Sequence, residues 1–160
     1  MKRSVKLGFS FGLTSGVITT LGLITGLESS TNSKLAVIGG IITIAIADAC
    51  SDALGVHVSE ESENKHSARQ IWFSTISTFL SKFVVALTFI VPMLLFNLQK
   101  AVILSAAWGL LILGALSYHI AKSGNEKPIK VISEHIGIAL IVIIATHYLG
   151  HFIYLMFGGI

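Results

Sequence analysis

Five long apolar runs, at roughly 7–27, 35–58, 71–97, 101–121 and 131–157, constrain this chain more than any other feature of its 160 residues. A helix needs about 20 mainly apolar residues to cross the hydrocarbon core of a bilayer, and every run reaches that length. Lipid offers backbone N–H and C=O groups no water to bond, so each run must satisfy them internally, as a helix does. The expected fold is an all-α membrane protein, with five transmembrane helices forming a single transmembrane domain over 1–160. The connections are short and polar: Glu28–Lys34, Ser59–Gln70, Leu98–Lys100 and Lys122–Lys130. None is long enough to separate domains, and no internal repeat is evident. Charged residues make up 12% of the chain, about half the share in a soluble domain.

The formal charge of +3 raises the question of nucleic acid. The basic residues stand at the ends of the apolar runs, however, which is where membrane-flanking charges lie. No nucleic-acid partner is expected; the partner is the lipid bilayer. With the N-terminus in the cytoplasm, eight of the eleven Lys and Arg residues fall inside: Lys2, Arg3, Lys6, Lys65, Arg69, Lys122, Lys127 and Lys130. Lys34 and Lys100 fall outside and Lys82 lies within the third run. This bias predicts a cytoplasmic N-terminus and a C-terminus on the opposite face. The expected location is that of a multi-pass integral membrane protein, in the plasma membrane if the cell is prokaryotic. The first run is too long for a signal-peptide core and has no small-residue cleavage site, so it reads as retained. A single cysteine, Cys50, excludes a disulfide framework within one chain.

Gly8, Gly12 and Gly16 recur every four residues and share one face of the first helix, a face that permits close helix approach. The hydroxyls of Thr14, Ser15, Thr19 and Thr20 suggest a second use for this helix, as one wall of a cation path. Pro92 predicts a kink or an early end to the third helix, and Pro128 suits the first turn of the fifth.

The chemistry gathers on the second helix. Asp48 and Asp52, at i and i+4, lie on one face. Near mid-bilayer, an ionised carboxylate costs several kcal/mol and must face a cavity, a cation or a partner. Two of them one turn apart describe a cation or proton site, or else an interhelical hydrogen-bond network. Lys82 lies too deep to snorkel and is the expected counter-charge. It is either a fixed ion pair that specifies packing or a tethered cation competing with a mobile one. Hard oxygen ligands suit Mn(II), Fe(II), Mg(II) or Ca(II). Glu60, Glu61 and Glu63, with His57, form either a solvated helix end or a cytoplasmic trap for divalent ions. His147 and His151 share a face near the outer end of the fifth helix, as an interfacial belt or as an exit site for metal. Glu134 and His135 open the same helix and are equally ambiguous.

Several segments resemble the vacuolar iron transporter (VIT) family, and the likeness covers nearly the whole chain. Residues 11–27 (FGLTSGVITTLGLITGL) are similar to that family's first helix, 49–62 (ACSDALGVHVSEES) to its second, and 78–92 to its third with the terminal proline. Leu113 to Leu116 and the helix that follows are similar to its last hairpin. The resemblance implies a homodimeric five-helix transporter that exports Fe(II) or Mn(II) from the cytosol against protons. Divalent metal is then the cargo, and no resident cofactor is expected. Ser15 stands where the family has an acidic residue, Asp52 where it has methionine, and Val56 where it has glutamate. Lys82 replaces an apolar or aromatic residue, and only Ser59–Gln70 remains in place of the large cytoplasmic metal-binding insert. This is the pattern of a short, divergent member.

On this reading Asp48, Asp52, Ser15 and Thr14 couple metal or proton movement. The alternative is a membrane scaffold or assembly protein that kept the fold and lost the path, which Ser15 and Lys82 favour. An enzyme is not expected: intramembrane aspartyl proteases draw one aspartate from each of two helices, and no Ser–His or HExxH arrangement is present.

Overall fold

A computed structural model describes residues 2–158. Among the described residues six helices follow one another: α1 (Lys2–Thr31), α2 (Lys34–Ser62), α3 (Ala68–Thr88), α4 (Ile90–Leu95), α5 (Leu98–Gly124) and α6 (Pro128–Phe157). With α3 and α4 taken as one broken segment, five helical segments are long and apolar enough to cross a membrane. This agrees with the five apolar runs and is compatible with a multi-pass integral membrane protein.

Every helical segment begins before its apolar run, and α1, α2 and α5 also end beyond theirs, because polar residues continue them and specific caps bound them. α4 stops at Leu95, short of the third run's end at 97, and α6 ends with its run at Phe157. Ser33 Oγ accepts from the Ala36 amide and starts α2. Ser67 and Gln70 exchange bonds in a capping box at the start of α3. Asn97 Oδ1 accepts from the Lys100 amide and starts α5, while Pro128 opens α6 at its first turn. Three asparagines, Asn32, Asn64 and Asn125, adopt the left-handed backbone conformation just after helix ends. Asparagine tolerates that conformation better than other residues with a Cβ. The connections are therefore tighter than the polar stretches suggest.

Pro92 breaks the third segment. Proline has no N–H to give the Thr88 carbonyl, and its ring crowds that group. The helix stops at Thr88 and resumes at Ile90. Phe89 and Met93 fill the interior at the break and are wholly buried. Lys34 closes the far end, its Nζ donating to the Phe96 carbonyl at 3.0 Å.

α1 is the central helix and packs against α2, α3, α5 and α6. Its glycine face meets α3 of the same chain. A Cβ at Gly8 would come within 2.2 Å of the Ser74 carbonyl oxygen, and one at Gly12 within 2.4 Å of that of Thr78. Ser77 Oγ donates to the Val5 carbonyl at 2.9 Å, across the same seam. Glycine here lets the two backbones touch, the usual basis of helix association where lipid removes the hydrophobic drive. Farther along, Gly22 and Gly26 of α1 pack against α6, and Thr25 and Thr146 share a hydroxyl hydrogen bond of 2.7 Å. Val17, Leu21, Ile24, Val37, Ile41, Phe89 and Leu113 complete the interior. Large apolar side chains of α6, from Ile138 to Phe157, point outward.

Candidate functional site

α1, α2 and the α3–α4 segment run side by side, and the midpoint of each carries a polar group: Ser15, Asp48 with Asp52, and Lys82. The Lys82 side chain crosses from α3 beneath Gly16 of α1, whose missing Cβ leaves room for it: an added Cβ would lie 3.2 Å from Lys82 Cγ. Lys82 is only 1% exposed. Its Nζ lies 2.6 Å from Asp48 Oδ2 and pairs just as directly with Asp52 Oδ2. It also donates to Ser15 Oγ at 2.9 Å, and Ser15 in turn donates to Asp52 Oδ2 at 2.6 Å. Lys82 is the counter-charge to the two aspartates. It holds both at once, because an ammonium has three donors and the i, i+4 spacing sets the two carboxylates one turn apart.

Two carboxylates against one ammonium leave the group with one formal negative charge. The aspartate side chains are 31% and 21% exposed, in contrast to the sealed lysine. Asp52 is reached through a cleft of about 670 Å³ between α1 and α2, with Arg3, Glu63 and His66 at its mouth. The group can therefore exchange with the surroundings on its carboxylate side only. Cys50 is exposed and does not line this cleft.

The remaining candidates separate. No side-chain hydrogen bond among the described residues links Thr14 to the cluster. Thr19 bonds back to the Ser15 carbonyl at 2.9 Å, and Thr20 is buried with no partner for its hydroxyl among the described residues. A hydroxyl-lined wall along α1 therefore reduces to Ser15. The cytoplasmic trap does not assemble either. Glu60 is turned into the bundle, where it accepts from Ser74 Oγ, while Glu61 stays exposed. Glu63 lies 3.8 Å from His66 Nε2. His57 packs edge-on against Trp72 at 4.9 Å between ring centres, its Nδ1 2.9 Å from Thr75 Oγ1. Glu60 and Glu61 are successive residues and point some 100° apart, so these two acids do not converge on one ion.

At the opposite end, His147 Nδ1 lies 2.6 Å from Ser29 Oγ and its ring meets Tyr148 edge-on, while His151 is exposed. His135 Nδ1 lies 2.8 Å from Ser117 Oγ. Three of the histidines thus pin neighbouring helices through a serine or threonine hydroxyl, a role that sequence spacing does not reveal because the partners are far apart in the chain. Among the described residues no three His, Cys, Asp or Glu side chains converge as a protein-only metal site requires. No protein-family model matches the chain, and no curated protein or solved structure matches it either.

Proposed function

We propose that the chain is a secondary transporter of divalent metal cations of the Fe(II)/Mn(II) class, moving them out of the cytosol in exchange for protons. The observation that carries this reading is Lys82, an ammonium seated between Asp48 and Asp52, the second of which lines a cleft. The lysine occupies the place a mobile cation would take, and the group keeps a deficit of one positive charge. An uncompensated charge at mid-bilayer costs about 3 kcal/mol or more, so carrier states must be close to neutral. Lysine as ammonium, with one proton shared by the two aspartates, is neutral. A divalent ion on two ionised aspartates is neutral only when the lysine has given up its proton. Exchange of one divalent ion for two protons connects the two states without leaving charge in the membrane. Ser15 supplies a third oxygen, and retained waters would complete a hard-cation shell. Kinship with the vacuolar iron transporters and a homodimeric assembly belong to the same proposal, as does a cytoplasmic N-terminus.

Metal uptake into proteoliposomes across a pH series tests the site. Asp52→Asn is expected to abolish flux while leaving the protein folded, since asparagine still accepts from Ser15. Asp48→Asn is expected to weaken apparent metal affinity. Unchanged flux in both variants would show that the aspartates serve packing alone. Orientation is checked separately: in a Cys50-free background, a cysteine at position 32 is expected to react only from the non-cytoplasmic face.

A scaffold reading is favoured by one specific observation, the near-complete burial of Lys82 against both of its partners. Wild-type protein that carries no metal in the same assay would establish it.

A further inference from the structure

One buried carboxylate has no part in the exchange described above. Glu60 is 6% exposed and sits in the apolar stripe of α2 that also contains Ala45, Ala49, Ala53 and Val56. Its Oε2 accepts from Ser74 Oγ of α3. A carboxylate in such a stripe costs free energy that one neutral hydroxyl offsets only in part, so packing alone gives no reason for it. Its surroundings give one. Glu60 and Asp52 line the same α1–α2 cleft, eight residues apart, or about 12 Å along a helix axis. The cleft, of about 670 Å³, is many times larger than the roughly 30 Å³ share of one water. The charged groups facing it besides Asp52 are Glu60 from α2, Arg3 from α1 and, from the α2–α3 connection, Glu63 and, when protonated, His66. With His66 neutral and Asp52 already held by Lys82, one negative charge remains in excess.

We infer that this cleft is a water-filled inlet for small hydrated cations, and that Glu60 is the intermediate acceptor drawing them from the N-terminal face toward Asp52. The inference rests on Asp52 as the cation-binding residue, and it is tested without measuring transport. In a Cys50→Ala background, Gly55→Cys places a thiol in the cleft between Glu60 and Asp52, at a position where an added Cβ meets nothing within 4 Å. Leu54→Cys, at a side chain 62% exposed outside the cleft, is the lipid-facing control. Cationic and anionic methanethiosulfonates are added at the N-terminal face of vesicles. The cationic reagent is expected to label Gly55→Cys about tenfold faster than the anionic one, the low end of the range for electrostatic steering, and neither should label Leu54→Cys. Adding Glu60→Gln, which still accepts from Ser74, should remove most of the preference. Adding Ser74→Ala, which breaks the bond but keeps the charge, should leave it in place. Resistance of Gly55→Cys to both reagents overturns the inlet. A preference unchanged by Glu60→Gln, or lost equally in Ser74→Ala, makes Glu60 an interhelical pin. Flux without labelling would condemn the inlet alone, and labelling without flux would condemn the transport reading alone.

Discussion

Replacing Lys82 with Met is expected to destabilise the protein by about 3–5 kcal/mol, the usual cost of removing one partner from a buried ion pair. Divalent cations should then restore much of the loss. Without the ammonium, Asp52 keeps only the Ser15 hydroxyl, and Asp48 stands one turn away on the same face with no other side-chain partner among the described residues. A divalent ion fills the vacated space with the charge that the pair lacks. Binding to the folded state alone at about 100 times the dissociation constant adds about 2.7 kcal/mol, so the recovery is measurable. The experiment is thermal unfolding in detergent, followed by tryptophan fluorescence, with Mn(II) or with an equal ionic strength of sodium. Wild-type protein, with its lysine in place, should respond far less to the metal. Asp52→Asn added to Lys82→Met should reduce both the loss and the rescue, because it removes one of the two stranded charges. A Lys82→Met protein as stable as wild type would show that the lysine is not the charge that holds the carboxylates.

Substitution of Gly12 is expected to have a comparably large effect for a steric reason. A Cβ there would lie 2.3 Å from Ser81 Oγ and 2.4 Å from the Thr78 carbonyl oxygen. The carbonyl belongs to the α3 backbone and cannot swing aside, so the two helices must part. Overpacking of this kind costs about 1–3 kcal/mol for small additions and more for large ones; Gly12→Ala should fall in that range and Gly12→Leu above it. Separation of α1 from α3 would also draw Lys82 away from Ser15, so Gly12→Leu should lose flux as well as stability. Gly39 is the control, since an added Cβ there meets nothing within 4 Å. Gly39→Ala should be neutral or stabilising by up to about 1 kcal/mol, the helix-propensity difference between the two residues. Equal melting temperatures for Gly12→Leu and wild type in detergent would refute the close α1–α3 contact.

Much of the architecture was legible because lipid leaves a chain so few options. An apolar run of spanning length in lipid is a helix whatever surrounds it, so five runs became five helical segments long enough to cross a membrane, and Pro92 broke the third where its missing N–H required. The helix ends were less legible, since they depend on caps at Ser33, Ser67 and Asn97 and on left-handed asparagines rather than on hydropathy. The i, i+4 aspartates and the deep lysine were visible as unpaired charges, because a charge in an apolar run has to be answered somewhere. Ser15 as a fourth member rested on the resemblance, while Thr14 beside it looked equally good.

The sequence by itself determined that the helices form and that Asp48, Asp52 and Lys82 must find partners, since both follow from the local cost of unsatisfied polar groups. Only the tertiary structure decided the pairings. It turned the glycine face of α1 onto α3, gave Lys82 both aspartates, buried Glu60 beside Ser74 and set His147 on Ser29. Each of these joins residues from different helices, up to 118 positions apart in the chain. Helical periodicity says which residues share a face. Which helix that face meets is settled by packing, through the shapes of side chains that no single helix contains.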